Sequence, residues 1–136
     1  MSERALPHEP RWISTSTLLA IHAQQIERYG GTHGIVDENV VFSALARPQH
    51  LFTYDPAADL PALAAAYLVG FARSQGFNDG NKRTALATAL VFLALNDLPL
   101  HVPPAELYTL TMAVATGKAD DTTVTEYLRN RLKAGG

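Results

Sequence analysis

The stretch NKRTALATALVFLALN, residues 81–96, joins a basic beginning to a run that is apolar nearly all the way round a helix. A helix with apolar side chains on every face is typical of a buried position in the middle of a domain. The stretch therefore predicts a central hydrophobic helix. Such a helix is not expected to begin with Asn81, Lys82 and Arg83 unless these polar groups have a role at its first turn.

Helical periodicity continues on both sides of this stretch. Ser14 is expected to cap a helix that two glycines end, and Asp37 to cap the next one. Asp59 is expected to cap a third helix with proline in its first turn, and Asp120 or Asp121 to cap the last. The six predicted helices cover residues 15–29, 38–46, 60–74, 81–96, 104–116 and 122–133.

The segment between the second and third helices is predicted to be irregular. Pro48 restricts the backbone of Arg47, and so is expected to end the second helix. Residues 47–58 show no clear period and are interpreted as a surface loop or a small hairpin. Phe52 and Tyr54 are candidates there for contact with a partner, because exposed aromatic side chains anchor interfaces. At least one of the two is expected to be buried under a neighbouring helix instead.

The composition fits one folded domain. The chain has 136 residues, of which 47% are hydrophobic and 18% charged, with no cysteine and a net charge of −2. The lack of cysteine excludes disulfide frameworks, thiolate metal sites and a catalytic thiol. No strand alternation is visible, so the predicted class is all-α. Residues 13–134 are predicted to form a single six-helix domain, after an N-terminal tail at residues 1–12.

Neither a membrane nor nucleic acid is an expected partner. The longest apolar run, residues 85–95, is too short to span a bilayer. The first twelve residues are polar with two prolines, unlike a secretory signal, so a cytoplasmic protein is expected. The small net charge argues against binding nucleic acid by bulk charge.

The segment RSQGFNDGNKRT, residues 73–84, holds three of the eleven Lys and Arg residues. A helix N-terminus offers unpaired N–H groups and a partial positive charge. Gly80 lets backbone come close, Asn81 adds an amide donor, and Lys82 and Arg83 supply full charges. Together these groups predict an anion site suited to phosphates.

Asp79 stands just before that helix, where an acidic group is expected if Mg²⁺ bridges the phosphates. The simpler alternative is a turn and helix cap, with Lys82 and Arg83 reaching into water. A P-loop does not fit, because Asn81 separates Gly80 from Lys82 and a helix precedes the glycine. A calcium loop does not fit either, because the alternating acidic ligands are absent.

These residues resemble the motif of the Fic/Doc family, His-x-Phe-x-Asp/Glu-(Gly/Ala)-Asn-(Gly/Lys)-Arg. Lysine at position 82 is the variant of the Doc (death on curing) toxins, rather than of the Fic proteins that transfer AMP. The resemblance extends over about residues 13–133, with similar segments at 26–31, 66–69 and 113–117. The residues that match the motif in order are Phe77, Asp79, Gly80, Asn81, Lys82 and Arg83.

The resemblance implies a six-helix fold around a nucleotide site that takes ATP and Mg²⁺. Asp79 would hold Mg²⁺, while Asn81, Lys82 and Arg83 would bind the phosphates, and Arg28 would reach the site from the first helix. Doc toxins phosphorylate a threonine of elongation factor Tu, and a small antitoxin of the Phd type inserts a peptide helix into a groove of the toxin. In this chain the groove is expected to involve the first helix and the segment 47–58.

Gln75 stands where the family has its catalytic histidine. A histidine takes the proton from an attacking hydroxyl, a step typically worth about 10²–10⁴-fold in rate, whereas an amide has no usable basicity. Three explanations stay open. The natural protein is a weak or binding-only relative, the chain carries a protective His→Gln change, or another group acts as the base.

Three functions follow from these alternatives. The first is a Doc-like toxin with kinase-type transfer chemistry that Gln75 impairs. The second is a Fic-type AMP transferase, against which Lys82 argues because it fills space that glycine leaves for a second phosphate subsite. The third is a non-catalytic module that binds a nucleotide or a partner helix.

Arg73 and His22 are two further candidates for contact with the site. Arg73 is expected either to interact with the C-terminus of its own helix or to contact phosphate. His22 lies on the side of the first helix that carries Arg28. It is expected to be a polar residue whose hydrogen bonds are satisfied within the fold, rather than a member of the site.

Overall fold

The computed structural model describes residues 9–135, which form six α-helices, so the predicted all-α, six-helix class is confirmed. Within this range extended pairing is limited to one antiparallel bridge between Ile35 and Phe77. Residues 1–8 of the predicted tail lie outside the described residues. The helices are α1 (Thr15–Tyr29), α2 (Glu38–Tyr54), α3 (Leu60–Ala72), α4 (Asn81–Leu95), α5 (Pro104–Ala115) and α6 (Asp121–Gly135).

The helix caps are those that the sequence predicts. The side chains of Ser14, Asp37 and Asp59 each accept the backbone N–H three residues further on. Asp120 does the same for α6, at 3.0 Å. At the end of α1, Gly30 has a φ of +86°, a conformation that glycine adopts without steric penalty. These caps satisfy N–H groups that a helix leaves unpaired.

The predicted irregular segment is wrong, because α2 continues through Pro48 to Tyr54. A proline inside a helix removes one backbone hydrogen bond, but tertiary packing outweighs that loss here. Pro48 is itself buried, and Leu51 and Phe52 beyond it pack against the core. Phe52 meets Trp12 edge-on, whereas Tyr54 is 90% exposed. One of the two candidate aromatics is therefore covered and the other is free.

The most deeply buried helix is α3, not α4. Ten of the thirteen α3 residues are buried, against six of the fifteen in α4. Val91 and Leu95 of α4 are more than a third exposed, so its apolar surface is only partly covered. Alanines and Gly70 give α3 a thin profile, and this helix packs against α2, α4, α5 and α6. The central helix is hydrophobic, as predicted, but it precedes the site rather than beginning at it.

Arg11 and Trp12 lie against the C-terminal end of α4. The backbone N–H of Arg11 donates to the side chain of Asn96 at 2.8 Å, and the Trp12 ring stacks on Phe92 at 5.9 Å. None of the helices described is both long enough and apolar enough to cross a membrane.

Candidate functional site

A small cleft of about 210 Å³ opens at the N-terminus of α4, beside the end of α1 and the side of α5. The cleft brings together five of the residues that the sequence predicts for the site, together with two glycines that follow α1. Its lining consists of Gln25, Gly30, Gly31, Asp79, Gly80, Asn81, Lys82, Arg83 and Tyr108.

The first turn of α4 faces this cleft without a side-chain cap. Gly80 occupies the cap position in the left-handed conformation, with φ +78°, and no side chain in the part of the chain that the structure describes bonds to the N–H groups of that turn. Four of the other helices have a Ser or Asp cap in the same position, at Ser14, Asp37, Asp59 and Asp120. The uncapped N–H groups and the helix dipole therefore favour an anion in the cleft.

The glycine after α1 lets two chain segments meet at the cleft. Gly31 has a φ of +119°, and a Cβ added there would lie 3.0 Å from the Cβ of Asp79. The backbone N–H of the next residue, Thr32, donates to Asp79 Oδ2 at 2.7 Å. A side chain at position 31 would push this donor away, so the glycine positions the Asp79 carboxylate.

The Asp79 carboxylate fits the role predicted for it as a Mg²⁺ ligand. Its side chain is exposed at the cleft, next to the uncapped helix terminus. Among the described residues no group of three or more His, Cys, Asp or Glu side chains comes together to hold a metal. Mg²⁺ in nucleotide sites takes one or two carboxylates and completes its shell with phosphate oxygens and water. One carboxylate beside a phosphate site is therefore compatible with Mg²⁺–nucleotide and unsuited to a metal held by protein alone.

The buried side chain of His22 packs against the loop between α3 and α4, residues 73–80. Its ring is buried, lies parallel to the Phe77 ring with centroids 3.9 Å apart, and places Nε2 2.8 Å from the carbonyl oxygen of Asp79. The sequence held a signal for this position, because Leu18, His22 and Ile26 follow one another at intervals of four on the buried face of α1. That spacing indicates that the histidine is buried, but it does not indicate which residues the histidine contacts.

Asn81 closes the loop on itself. Its Oδ1 accepts the N–H of Phe77, and its Nδ2 donates to the carbonyl of the same residue, both at 3.0 Å. The side-chain amide thus holds the turn that carries Asp79. The role predicted for Asn81 toward phosphate has this second, structural role beside it.

Lys82 and Arg83 bring uncompensated charge to the cleft. Neither forms an ion pair with a carboxylate in the described part of the chain, whereas Arg47, Arg129 and Arg131 do. The guanidinium of Arg83 instead lies over the ring of Tyr29. Cations without a carboxylate partner can give their hydrogen bonds to a phosphate instead.

Gln75 and Arg28 lie outside the lining of the cleft. Gln75 is exposed on the connection between α3 and α4. The following Gly76 packs so closely on α2 that an added Cβ would lie 2.5 Å from a Val41 methyl group. Arg28 is exposed in the last turn of α1. The close packing of Gly76 thus fixes the backbone beside Gln75, whereas the side chains of Gln75 and Arg28 lie at the surface.

Arg73 has neither of its two expected roles. Its guanidinium donates to the carbonyls of Val114 at 3.2 Å and Ala119 at 2.7 Å. These carbonyls lie at the end of α5 and in the turn after it. Arg73 therefore stabilises the C-terminus of a neighbouring helix.

The cleft thus joins an uncapped helix N-terminus, two basic side chains and one carboxylate on an all-α scaffold, and comparison with known proteins identifies the class. The model of the Fic/DOC family matches residues 12–93. The chain belongs to the Fic/DOC family, and within it to the Doc subgroup, as the resemblance implied.

Two relatives carry that assignment. The chain is 41% identical to "Protein kinase doc" of Escherichia phage P1 over 119 residues, which cover 88% of this chain and 94% of the phage protein. It is 40% identical to "Toxin Doc" of Mycolicibacterium smegmatis over 73 residues, which cover 53% of this chain and 56% of that protein.

Proposed function

We propose that this protein is a Doc-like toxin that binds ATP with Mg²⁺ and transfers phosphate to a hydroxyl group of a translation protein in the cytoplasm. By resemblance the substrate is elongation factor Tu. The observation that carries the proposal is the cleft at the α4 N-terminus, where Asp79 lies beside two cations that have no carboxylate partner within residues 9–135. The naming of the phage P1 relative as a kinase supports the transfer chemistry.

Phosphate binding is the first part of this proposal. The N–H groups of the first α4 turn, together with Lys82 and Arg83, would bind the phosphate oxygens of ATP. Asn81 would add a donor, and Arg28 would approach from the exposed end of α1. When bound, Mg²⁺ would neutralise part of the phosphate charge, and Asp79 would hold it there.

Gln75 limits the chemistry in this chain. A proton must leave the attacking hydroxyl, and the glutamine amide can accept a hydrogen bond but cannot take up that proton. Among the residues that line the cleft no histidine is present to replace it. Transfer by this chain is therefore expected to be about 10²–10⁴-fold slower than with histidine at position 75, while nucleotide binding persists.

An antitoxin is the proposed partner, because both relatives belong to the Doc toxins. The Phd type would present a peptide helix to a groove of this protein. Of the segment 47–58 predicted to border that groove, residues 47–54 form the second half of α2 rather than a loop. Tyr54, 90% exposed at its end, is available as an anchor.

The nucleotide site is tested by calorimetry with ATP and Mg²⁺. Lys82→Ala and Arg83→Ala are each expected to weaken binding by roughly 1–3 kcal/mol, because charge-assisted contacts are lost. Lys118→Ala is the matched control, since Lys118 is exposed in the turn before α6 and away from the cleft. Equal affinity of all four proteins would remove the phosphate assignment.

A binding-only module is the second candidate, and Gln75 favours it. Such a protein would bind nucleotide or a partner helix normally and would act by occupancy. Failure of phosphate transfer after Gln75→His, with normal nucleotide affinity, would select this function over the toxin. Transfer of the α-phosphate instead of the γ-phosphate would indicate a Fic-type AMP transferase, against which Lys82 argues.

A further inference from the structure

The guanidinium of Arg83 contacts two tyrosine rings that come from different helices. Its central carbon lies 4.1 Å from the ring centroid of Tyr29 and 5.3 Å from that of Tyr108. Both distances are within the roughly 6 Å over which an aromatic face attracts a cation. Tyr29 ends α1 and Tyr108 lies in α5, so these contacts connect the two walls of the cleft through Arg83 on α4.

These rings hold the cation without neutralising it. A carboxylate partner would compensate the charge of Arg83 and compete with an incoming anion, but no such pair exists among the described residues. An aromatic face attracts the guanidinium through its quadrupole and leaves the net positive charge in place. The N–H donors lie in the guanidinium plane, so contact with a ring face does not consume them.

Both rings stand where they can act on the cleft. Tyr108 is half-buried and forms part of the cleft lining, while Tyr29 is 52% exposed at its edge. Partial removal from water strengthens a cation–π contact above its value at a fully exposed site. Arginine also has one of the largest side-chain entropies, and that freedom must be lost when it grips a ligand.

We propose that Tyr29 and Tyr108 are positioning residues that hold the Arg83 guanidinium at the cleft before a phosphate arrives. The inference rests on the proposed nucleotide site and adds the groups that prepare one of its cations. Binding then loses less arginine freedom, so the two rings raise nucleotide affinity through Arg83.

The test is a double-mutant cycle read by calorimetry with ATP and Mg²⁺. Tyr29→Leu and Tyr108→Leu remove the π face but keep apolar bulk, and each is expected to weaken binding about three- to tenfold. Tyr29→Phe and Tyr108→Phe keep the face and are expected to bind within about twofold of the unsubstituted chain. In an Arg83→Ala background, the same leucine changes are expected to shift affinity less than about twofold, because the rings act through Arg83.

The placement itself has a readout that needs no nucleotide. Rings that lie over a guanidinium shift the NMR resonances of the arginine δ protons and the Nε–H upfield. These resonances of Arg83 are expected to move back toward ordinary values in Tyr29→Leu, and to stay shifted in Tyr29→Phe. Circular dichroism on every variant shows that each is folded when its affinity is compared.

Each other outcome counts against the inference in a distinct way. Unchanged affinity of folded leucine variants, with nucleotide bound normally by the unsubstituted chain, would overturn the positioning role and leave the nucleotide site standing. Equal losses with and without Arg83 would mean that the rings act on their own, and tighter binding by the leucine variants would mean that they restrain Arg83. No binding by the unsubstituted chain would overturn the proposed site, and the inference with it.

Discussion

His22 Nε2 lies 2.8 Å from the carbonyl oxygen of Asp79, so a buried side chain of α1 is hydrogen-bonded to the residue proposed to hold Mg²⁺. A carbonyl oxygen only accepts hydrogen bonds, so Nε2 carries the proton and the ring donates. The same ring stacks on Phe77. The backbone of the loop between α3 and α4, residues 73–80, is therefore bonded to α1 on its buried side.

Loss of the His22 hydrogen bond and ring contact is expected to destabilise the domain. His22→Ala removes a buried hydrogen bond and a stacked ring, so we expect the free energy of unfolding to fall by about 2–3 kcal/mol in urea denaturation. His22→Phe keeps a ring against Phe77 and is expected to cost about 1 kcal/mol. His33→Ala, at an exposed position, is the control and is expected to change stability by less than about 0.5 kcal/mol. A loss no larger than that of the control would show that the contact is dispensable.

Asn81 is expected to matter for the folded loop as well as for any ligand. Asn81→Ala leaves the backbone N–H and carbonyl of Phe77 without their side-chain partners, which predicts a loss of about 1–3 kcal/mol. Hydrogen exchange of the Phe77 amide is expected to speed up in this variant. Asn78→Ala is the matched control, because Asn78 is exposed and its amide makes only a long contact of 3.4 Å. Equal exchange in both variants would contradict the structural role of Asn81.

Alkaline pH is expected to destabilise the protein through Tyr67. Burial raises the pKa of Tyr67 to about 12, against a smaller lowering by the hydrogen bond from the Ile13 N–H. The unfolded chain ionises near pH 10, so the stabilisation is complete below pH 10 and is lost as the pH rises toward 12, by roughly 2–3 kcal/mol.

Tyr67→Phe isolates this contribution from that of Tyr127, whose pKa burial and Glu106 also raise to about 12. The variant is expected to be less stable at pH 7, because the Ile13 N–H loses its partner, and to show a shallower fall in stability above pH 10. Parallel stability curves for the two proteins above pH 10 would show that Tyr67 ionises equally in the folded and unfolded chains.

Gln75→His is expected to make the protein toxic to a bacterial host. The substitution supplies the base that the proposed transfer lacks, so induced cells are expected to stop growing at a level of soluble protein that the Gln75 chain tolerates. Gln49→His, also at an exposed position, is the control for adding a histidine. Adding Lys82→Ala to the Gln75→His chain is expected to restore growth. Equal growth at equal soluble protein would count against a toxin whose defect is its base.

The features that could be predicted from the sequence are those that depend on residues close together in the chain. The caps at Ser14, Asp37 and Asp59 involve partners three residues away, so their signals are complete within a few positions. Pro48 misleads for the opposite reason, because the packing that carries α2 past it comes from distant residues such as Trp12. The central position of α3 likewise depends on how its small side chains admit four neighbouring helices.

The site shows the same division. The charges of the motif and its place at a helix N-terminus are legible in order along the chain. The contacts between distant segments cannot be predicted in this way. His22 contacts the Asp79 carbonyl across 57 residues, and Thr32 contacts the Asp79 carboxylate across 47. Tyr108 joins the cleft from α5 without any local signal.

The most direct test of the central claim compares the chain with its Gln75→His variant in bacterial lysate, using ATP labelled at either the α- or the γ-phosphate. The proposed function predicts that γ-label moves onto a protein with the histidine variant, and far more slowly or not at all with Gln75. Lys82→Ala in the histidine variant is expected to abolish that transfer. Transfer of the α-label, or none from either protein at saturating ATP, would contradict a Doc-type kinase that lacks its base.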